Sequence, residues 1–258
     1  MKTQKIIFLS LIILSSQFLA NCYVPPAPIF KLKPQTNNLE WYKGKEIATL
    51  TNDSVSVVIS FDRSLNDDYL FDVDITNYSE KTLLVDPEKF NYKTISGIKK
   101  QNELFTATAA KDPEKIILNL QKSYSQHKSK METQAMMYSL GYFLQFAGQT
   151  KALVTNDVEL SKHIDHQSHK MKEDELVDDI QNQKISESLN NSSYIWEILA
   201  LRKTSLYPNE SISGKVFFPV NESAQTLEFS FPIGEQELKI LFKQEVIQLF
   251  QKYVNPNL

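Results

Sequence analysis

The sequence predicts a mainly β protein of mixed α+β class: a β-sandwich interrupted by two or three helices and followed by a short C-terminal helix. Apolar and polar residues alternate from about residue 46 to 95 and again from residue 194, the period of half-buried strands. Between these two blocks the apolar period is helical. Turn-forming residues recur about every 8 to 12 residues within the strand blocks, a spacing typical of sandwiches.

The first block contains four predicted strands, of which the first two alternate between an apolar and a polar face and the other two are short. Their apolar members are Val55, Val57, Ile59 and Phe61, then Phe71, Val73 and Ile75, then Leu83 to Val85, and Phe90 to Ile95. Asn- and Asp-rich turns separate these runs. We therefore expect antiparallel strands that bury the apolar face.

The helical insertion begins with a clear start signal. Residues 112–114 are Asp, Pro and Glu, which supply a cap, a proline suited to the first turn and an acid beside the positive helix end. Ser129 and Glu132 fit a capping box, which predicts a second helix ended by Gly148. These two helices would form a hairpin, and a third helix would run from about 157 to 189.

The second strand block starts at Tyr194, where a mostly apolar run to Leu201 predicts a central strand covered on both faces. Three further strands follow, with apolar members Ile212, Val216 and Phe218, then Leu227, Phe229 and Phe231, then Leu238, Ile240 and Phe242. A short terminal helix is predicted to carry Val246, Leu249, Phe250 and Tyr253.

The N-terminus has the pattern of a secretory signal: Lys2 and Lys5 precede an apolar run over residues 6–14. Polar residues interrupt the run before it reaches the roughly 20 residues that a spanning helix needs. We expect a signal peptide at 1–21, a tether at 22–45, and a sandwich at 46–258 with the helical insertion at about 112–190.

The only cysteine, Cys22, ends the tetrapeptide Leu-Ala-Asn-Cys over residues 19–22, which resembles the bacterial lipobox. The resemblance implies cleavage before Cys22, a lipid on its thiol, and a protein anchored to a membrane of the bacterial cell envelope, on its periplasmic or its surface face. The alternatives are a buried free thiol or an ordinary secretory cut. Prolines at 25, 26 and 28 favour a stiff, extended tether.

Residues 206–218, with a proline turn, Gly214 and an aromatic strand, resemble the late hairpin of immunoglobulin-like, telokin-like domains carried by bacterial lipoproteins of unassigned function. Residues 72–77 are similar to the first long hairpin of these domains. The resemblance implies an immunoglobulin-like β-sandwich in an exported protein. It supplies no catalytic residues.

The composition argues against several functions. With 31 acidic and 28 basic residues, the chain has no basic excess to favour nucleic acid as a partner. Its six glycines form neither a dinucleotide-binding nor a P-loop pattern, so no cofactor is predicted. Because the single thiol is assigned to lipid, a cysteine nucleophile is not expected.

Two groups of residues are candidates for chemistry. His163, His166 and His169 lie three residues apart on a predicted helix, where neighbouring pairs could share a metal ion, although a solvated helix face is the simpler interpretation. Asp72 and Asp74 project from one strand face, as a sugar-cleaving pair would, but this is also the normal polar face of an alternating strand.

The Met and aromatic residues of the predicted second helix suggest either a face that packs on the sheet or a groove for an apolar ligand. Taken together, the observations favour a lipid-anchored, non-enzymatic module that binds a protein or glycan partner. The alternatives are a metal-dependent hydrolase or metal carrier that uses the three histidines, and a carrier of an apolar ligand in the helical insertion.

Overall fold

The structure, a computed structural model, describes residues 28–65, 67–97 and 106–247. The protein is mixed α+β, with antiparallel sheets and two helices, as the sequence predicts. Cys22, the predicted signal peptide and residues 248–258 lie outside the described residues.

The strands form two five-stranded sheets and one two-stranded ribbon. In chain order they are β1 (Ile29–Pro34), β2 (Leu39–Tyr42), β3 (Lys45–Thr51), β4 (Val55–Leu65), β5 (Asp68–Asn77), β6 (Leu83–Val85), β7 (Asn91–Gly97), β8 (Ala107–Ala109), β9 (Thr204–Leu206), β10 (Ser211–Pro219), β11 (Ala224–Ile233) and β12 (Gln236–Ile247). The first sheet has the order β1-β12-β11-β7-β8 and the second has the order β10-β5-β4-β3-β2, while β6 pairs with β9.

The buried faces of the two large sheets share one hydrophobic core. Phe71 of the second sheet meets Phe229 and Phe242 of the first sheet, with ring centroids 4.8 and 5.2 Å apart. These rings meet edge to face, the arrangement that aromatic quadrupoles favour. The alternating residues of β4, β5, β11 and β12 thus supply the core that their period predicts.

The ordered domain starts earlier than residue 46. β1 pairs with β12 and buries Phe30 and Leu32, and β2 and β3 extend the second sheet. The tether predicted for residues 22–45 is therefore too long. The alternation of Phe30 and Leu32 with lysines is a strand signal, but it is short and close to the proline cluster, which hides it.

The helical insertion consists of two long helices, α1 (Pro113–Thr155) and α2 (Val158–Tyr194). Asp112 caps α1 by accepting a hydrogen bond from the backbone N–H of Glu114, as predicted. The helix break predicted at Ser129 is wrong, because an unbroken helix keeps every backbone hydrogen bond through this region. Left-handed Asn156 ends α1, and Asp157 caps α2.

Gly148 lies inside α1 instead of ending it. A Cβ atom at this position would lie 2.9 Å from Cδ1 of Ile164 on α2. The glycine therefore provides space for the neighbouring helix, which explains its place in a helix interior.

The central strand predicted from Tyr194 to Leu201 is wrong. α2 runs on to Tyr194 and continues as a π-helical turn at Ile195–Leu199, and within the run Ala200 forms an isolated bridge to Lys215. Trp196 stacks on Phe217, with ring centroids 4.2 Å apart, on the outer face of the second sheet. The apolar residues of this run belong to a helix end that packs on a sheet. Periodicity alone does not distinguish such a run from a buried strand.

The predicted C-terminal helix does not form at Val246, its one named member among the described residues. Val246 belongs to β12 and pairs with Phe30 of β1. The other predicted members of this helix lie in residues 248–258, outside the described residues.

Gly214 allows the chain that leaves the π-turn to lie against β10. A Cβ at this position would lie 2.6 Å from both N and Cα of Leu201, whose N–H donates to the carbonyl of Lys215 at 2.9 Å. We expect Gly214→Ala to lower the free energy of unfolding by about 1 to 2 kcal/mol, because backbone atoms cannot move aside as a flexible side chain can. Urea denaturation measures this loss; the control, Gln225→Ala at an exposed position of β11, should change stability by no more than about 0.5 kcal/mol. Equal effects of the two substitutions would contradict the steric explanation.

Candidate functional site

Both ends of the helical insertion are held together at the edge of the second sheet. Arg202, just after α2, forms two hydrogen bonds with the carboxylate of Glu114 in the first turn of α1, at 2.6 and 2.9 Å. Lys111, just before α1, forms an ion pair with Asp68 of β5 at 2.6 Å. Together with the stacking of Trp196 on Phe217, these contacts fix the base of the helical hairpin on the sheet.

The seam between the two helices is polar. The hydroxyl of Tyr138 donates to Asp178 at 2.8 Å, and Tyr142 donates to Glu175 in the same way. The hydrogen bond to Asp178, together with burial, raises the pKa of Tyr138 to about 12. These tyrosines therefore stay protonated across the physiological range and hold the carboxylates of α2 against α1.

His127, the one histidine outside the predicted cluster, also belongs to this seam. It is buried, and its Nε2 lies 3.1 Å from the backbone oxygen of Asn182 and 3.2 Å from the hydroxyl of Ser186. Gln134 and Asn182 add an amide hydrogen bond at 3.1 Å. No local pattern predicts this role of His127, because its partners lie more than fifty residues away.

The large apolar residues of α1 lie on the side that faces away from α2. Gln134, Tyr138 and Gly141 face the second helix. At 3.6 residues per turn the positions opposite them are Met136, Leu140, Phe143 and Val154, and Met137, Leu144, Phe146 and Leu153 lie to either side. Eight of them, which we call the α1 stripe, are between 49% and 82% exposed: Met136, Met137, Leu140, Phe143, Leu144, Phe146, Leu153 and Val154. Residues 133–150 contain no charged side chain, and Lys151 is the one charged residue between Met136 and Val154, the first and last members of the stripe.

The exposure of the α1 stripe bears on two expectations for these residues: that they pack on the sheet, and that they form a groove for an apolar ligand. Packing of this face on the sheet was the simpler expectation, but the exposure of Phe143 and Phe146, 65% and 73%, shows that it is wrong. An apolar ligand would require an enclosing, concave site, whereas the outer face of a helix is convex.

A charged cluster covers part of the outer face of the second sheet. Asp62 lies between Lys45 at 2.7 Å and Lys215 at 2.9 Å, and both lysines also contact Asp72. Burial alone would raise the pKa of Asp62, but the hydrogen bonds from Lys45, Lys215 and Arg63 outweigh it and hold this pKa well below its usual value. The charges of the cluster compensate one another, as in a structural ion-pair network.

The cluster borders a groove of about 540 Å³ between the second sheet and the π-turn, lined by Tyr42, Val73, Asp74, Ile198 and Ser213 among others. Asp72 and Asp74, the carboxylate pair noted in the sequence, contact different partners in this groove. Asp72 binds the two lysines, whereas Asp74 accepts a hydrogen bond from Ser213. Each carboxylate therefore has its own partners within the sheet.

The three histidines of the candidate metal site, His163, His166 and His169, lie along the exposed surface of α2. His163 contacts Gln167, with its Nε2 3.0 Å from the side-chain nitrogen of that residue. Among the described residues, no group of three or more His, Cys, Asp or Glu side chains is arranged to hold a metal ion. The structure therefore gives the predicted metal site no additional ligand.

No family model, curated protein or solved structure matches the chain. Within the described ranges, neither helix contains a segment long and apolar enough to cross a membrane.

Proposed function

We propose that the protein is a lipid-anchored, non-enzymatic interaction module of the bacterial cell envelope, in which an immunoglobulin-like β-sandwich presents the helical hairpin to a partner. The α1 stripe is the observation that carries this proposal. Two facing sheets with a shared core support the sandwich, and the resemblance of residues 19–22 to a lipobox supports the anchor.

The size of the stripe supports a binding role. Its eight side chains expose roughly 800 Å² in total, because a large apolar side chain offers on the order of 150 Å² when fully exposed. The largest apolar patch of a typical monomeric protein covers only about 300–600 Å² and is itself often functional. A surface of this size therefore favours a macromolecular partner.

A protein partner fits the stripe better than a glycan does. A helix with anchors spaced three and four residues apart is a common protein-docking element, whereas an uncharged apolar surface offers a sugar few hydrogen-bond partners. The groove beside Tyr42, Asp74 and Ser213 combines an aromatic ring with polar groups and is the place where a glycan would bind.

Cys22→Ala tests the anchor. We expect the wild-type protein to incorporate a clickable fatty acid and to sediment with membranes, and the variant to lose both properties, because the thiol is the attachment point. The measurement is in-gel fluorescence of membrane and soluble fractions from labelled cells. A variant that stays labelled and membrane-bound would show that Cys22 is not the anchor.

The binding role is tested by photo-crosslinking in intact cells. A photo-reactive aromatic residue in place of Phe143 should give a discrete crosslinked product on a denaturing gel, because it lies within the stripe. The matched control carries the same residue in place of Lys172, which is exposed on α2. Products of equal amount and mass from both positions, or none from either, would refute a specific partner for the stripe.

A further inference from the structure

We propose that the partner of the α1 stripe is a second copy of this chain, so that two helical hairpins pack through their α1 helices and bring four helices together. This inference rests on the proposed function and specifies its partner.

The spacing of the stripe is that of a helix-packing seam. Met136, Leu140, Phe143, Ala147, Thr150 and Val154 follow one another at intervals of four, three, four, three and four residues. This is the alternation of core positions in coiled coils and helix bundles. Apolar residues flank the seam on both sides, including Met137, Leu144 and Phe146. A stripe broader than the core positions alone is typical of bundles.

The exposed area matches what a stable dimer needs. A specific interface of standard size buries about 800 Å² on each partner, and the stripe exposes roughly that amount of surface on each copy. Two stripes in contact would therefore form a complete interface without contributions from the sheets.

The charge distribution permits two identical surfaces to meet. A two-fold axis places the same patch on both sides of an interface, so that any charge at its centre would face its own copy. Residues 133–150 carry no charge, and the nearest charged residues, Glu132 and Lys151, lie at the two ends of this segment. Like-charge repulsion is therefore absent from the middle of the proposed contact.

The hairpin is less suited to a membrane surface. Helices that lie on a membrane carry lysines and arginines on their polar face. On this hairpin α2 exposes Glu173, Asp174 and Asp179 beside the seam carboxylates Glu175 and Asp178. This acidic group would be repelled by anionic lipid, whereas a second hairpin that meets α1 leaves it in water.

Disulfide trapping tests the contact in membranes that contain the full-length protein. Since Cys22 is the only native cysteine and is assigned to lipid, single cysteines at 136, 140, 143 and 147 supply the only free thiols. A mild oxidant should convert at least one of these variants to a covalent dimer, because disulfides need Cβ atoms within about 4.5 Å. Lys172→Cys on α2 and the wild-type chain should give no covalent dimer on a non-reducing denaturing gel.

A charge variant tests the same contact without crosslinking. The mature chain with Cys22→Ala should sediment with twice the protomer mass at micromolar concentration, and adding Leu140→Glu with Phe143→Glu should return it to the protomer mass. The control, Gln181→Glu with Ser188→Glu, adds the same charge at exposed positions of α2 and should remain dimeric. All these positions are exposed in the single chain, so thermal unfolding followed by circular dichroism should show a retained helical fold for both.

The outcomes separate this inference from the proposed function. Crosslinked products from position 143 with twice the protomer mass, together with trapped dimers, support both. Products of another mass, with a monomeric wild-type chain and no trapped dimer, overturn the second copy as partner while the binding role stands. Absence of every product from the stripe overturns both.

Discussion

Phe71→Ala is expected to lower the free energy of unfolding by about 4 kcal/mol, which would be the largest effect of any single substitution considered for this protein. Phe71 is fully buried, and its ring contacts four other phenylalanines, two of which belong to the opposite sheet. Truncation removes both the buried ring and the contacts that join the sheets, and it leaves a cavity that the rigid strands cannot fill. Chemical denaturation followed by circular dichroism measures the loss.

The matched control is Trp41→Ala, which removes another large ring from a strand. Trp41 is 64% exposed on β2, so its loss should change stability by no more than about 0.5 kcal/mol. A loss at Phe71 as small as the loss at Trp41 would contradict the proposed packing of the two sheets.

Asp62→Asn is expected to lower the free energy of unfolding by about 2 to 3 kcal/mol near neutral pH. The substitution removes the negative charge between Lys45 and Lys215 and leaves these two cations with Asp72 as their shared partner. Breaking a fully buried ion pair costs about 3 to 5 kcal/mol, and the partial exposure of both lysines reduces the effect here.

The effect of Asp62→Asn should depend on pH in a defined direction. The pKa of Asp62 in the folded protein lies below its ordinary value of 3.8. Its stabilising contribution is therefore complete above about pH 4 and is lost as the pH falls toward the lower, folded-state value. The difference in stability between wild type and variant should accordingly narrow on acidification, as measured by urea denaturation at about pH 7 and about pH 3.

Asp68→Asn, in the same sheet, should show the opposite dependence of stability on pH. Burial raises the pKa of Asp68 despite its ion pair with Lys111, and its Oδ1 is buried without a hydrogen-bond partner in the structure. The cost of ionising this group appears as the pH rises above 3.8, so the variant should become more stable relative to wild type in that direction. If both variants show the same dependence on pH, the assigned environments of the two carboxylates are wrong.

Local sequence signals predicted the strands and helix starts whose residue pattern is the same whatever element they later pair with. The alternation through Phe71 and Ile75 specifies a strand wherever it pairs, and Asp112 and Asp157 cap helices through contacts within three residues. The signal at Ser129 is of the same kind, yet it lies inside a longer helix, because a capping pattern does not require the chain to stop. The pairing of β7 with β11 has no local signal at all.

The apolar residues of the candidate site could be predicted from the sequence, but the side of α1 that they occupy in the fold could not. The Met and aromatic residues of α1 are visible in the sequence, whereas the side that meets α2 depends on pairs such as Tyr138 with Asp178, forty residues apart. Once those polar contacts form the seam, the apolar side is turned outward. Single-sequence periodicity reports that a stripe exists but does not say what covers it.

The joined base of the hairpin has a consequence for how the chain folds. Strands that pair across the insertion must wait for a long loop to close, and such distant pairing is slow in β proteins. Contacts next to the turn of the hairpin, such as Gln149 with Ser161, join residues only twelve apart, so the hairpin can start there early and close toward Glu114 and Arg202. For the strands on either side, the segment from Pro113 to Leu199 then acts as a short connection. The insertion therefore slows the pairing of these strands only a little.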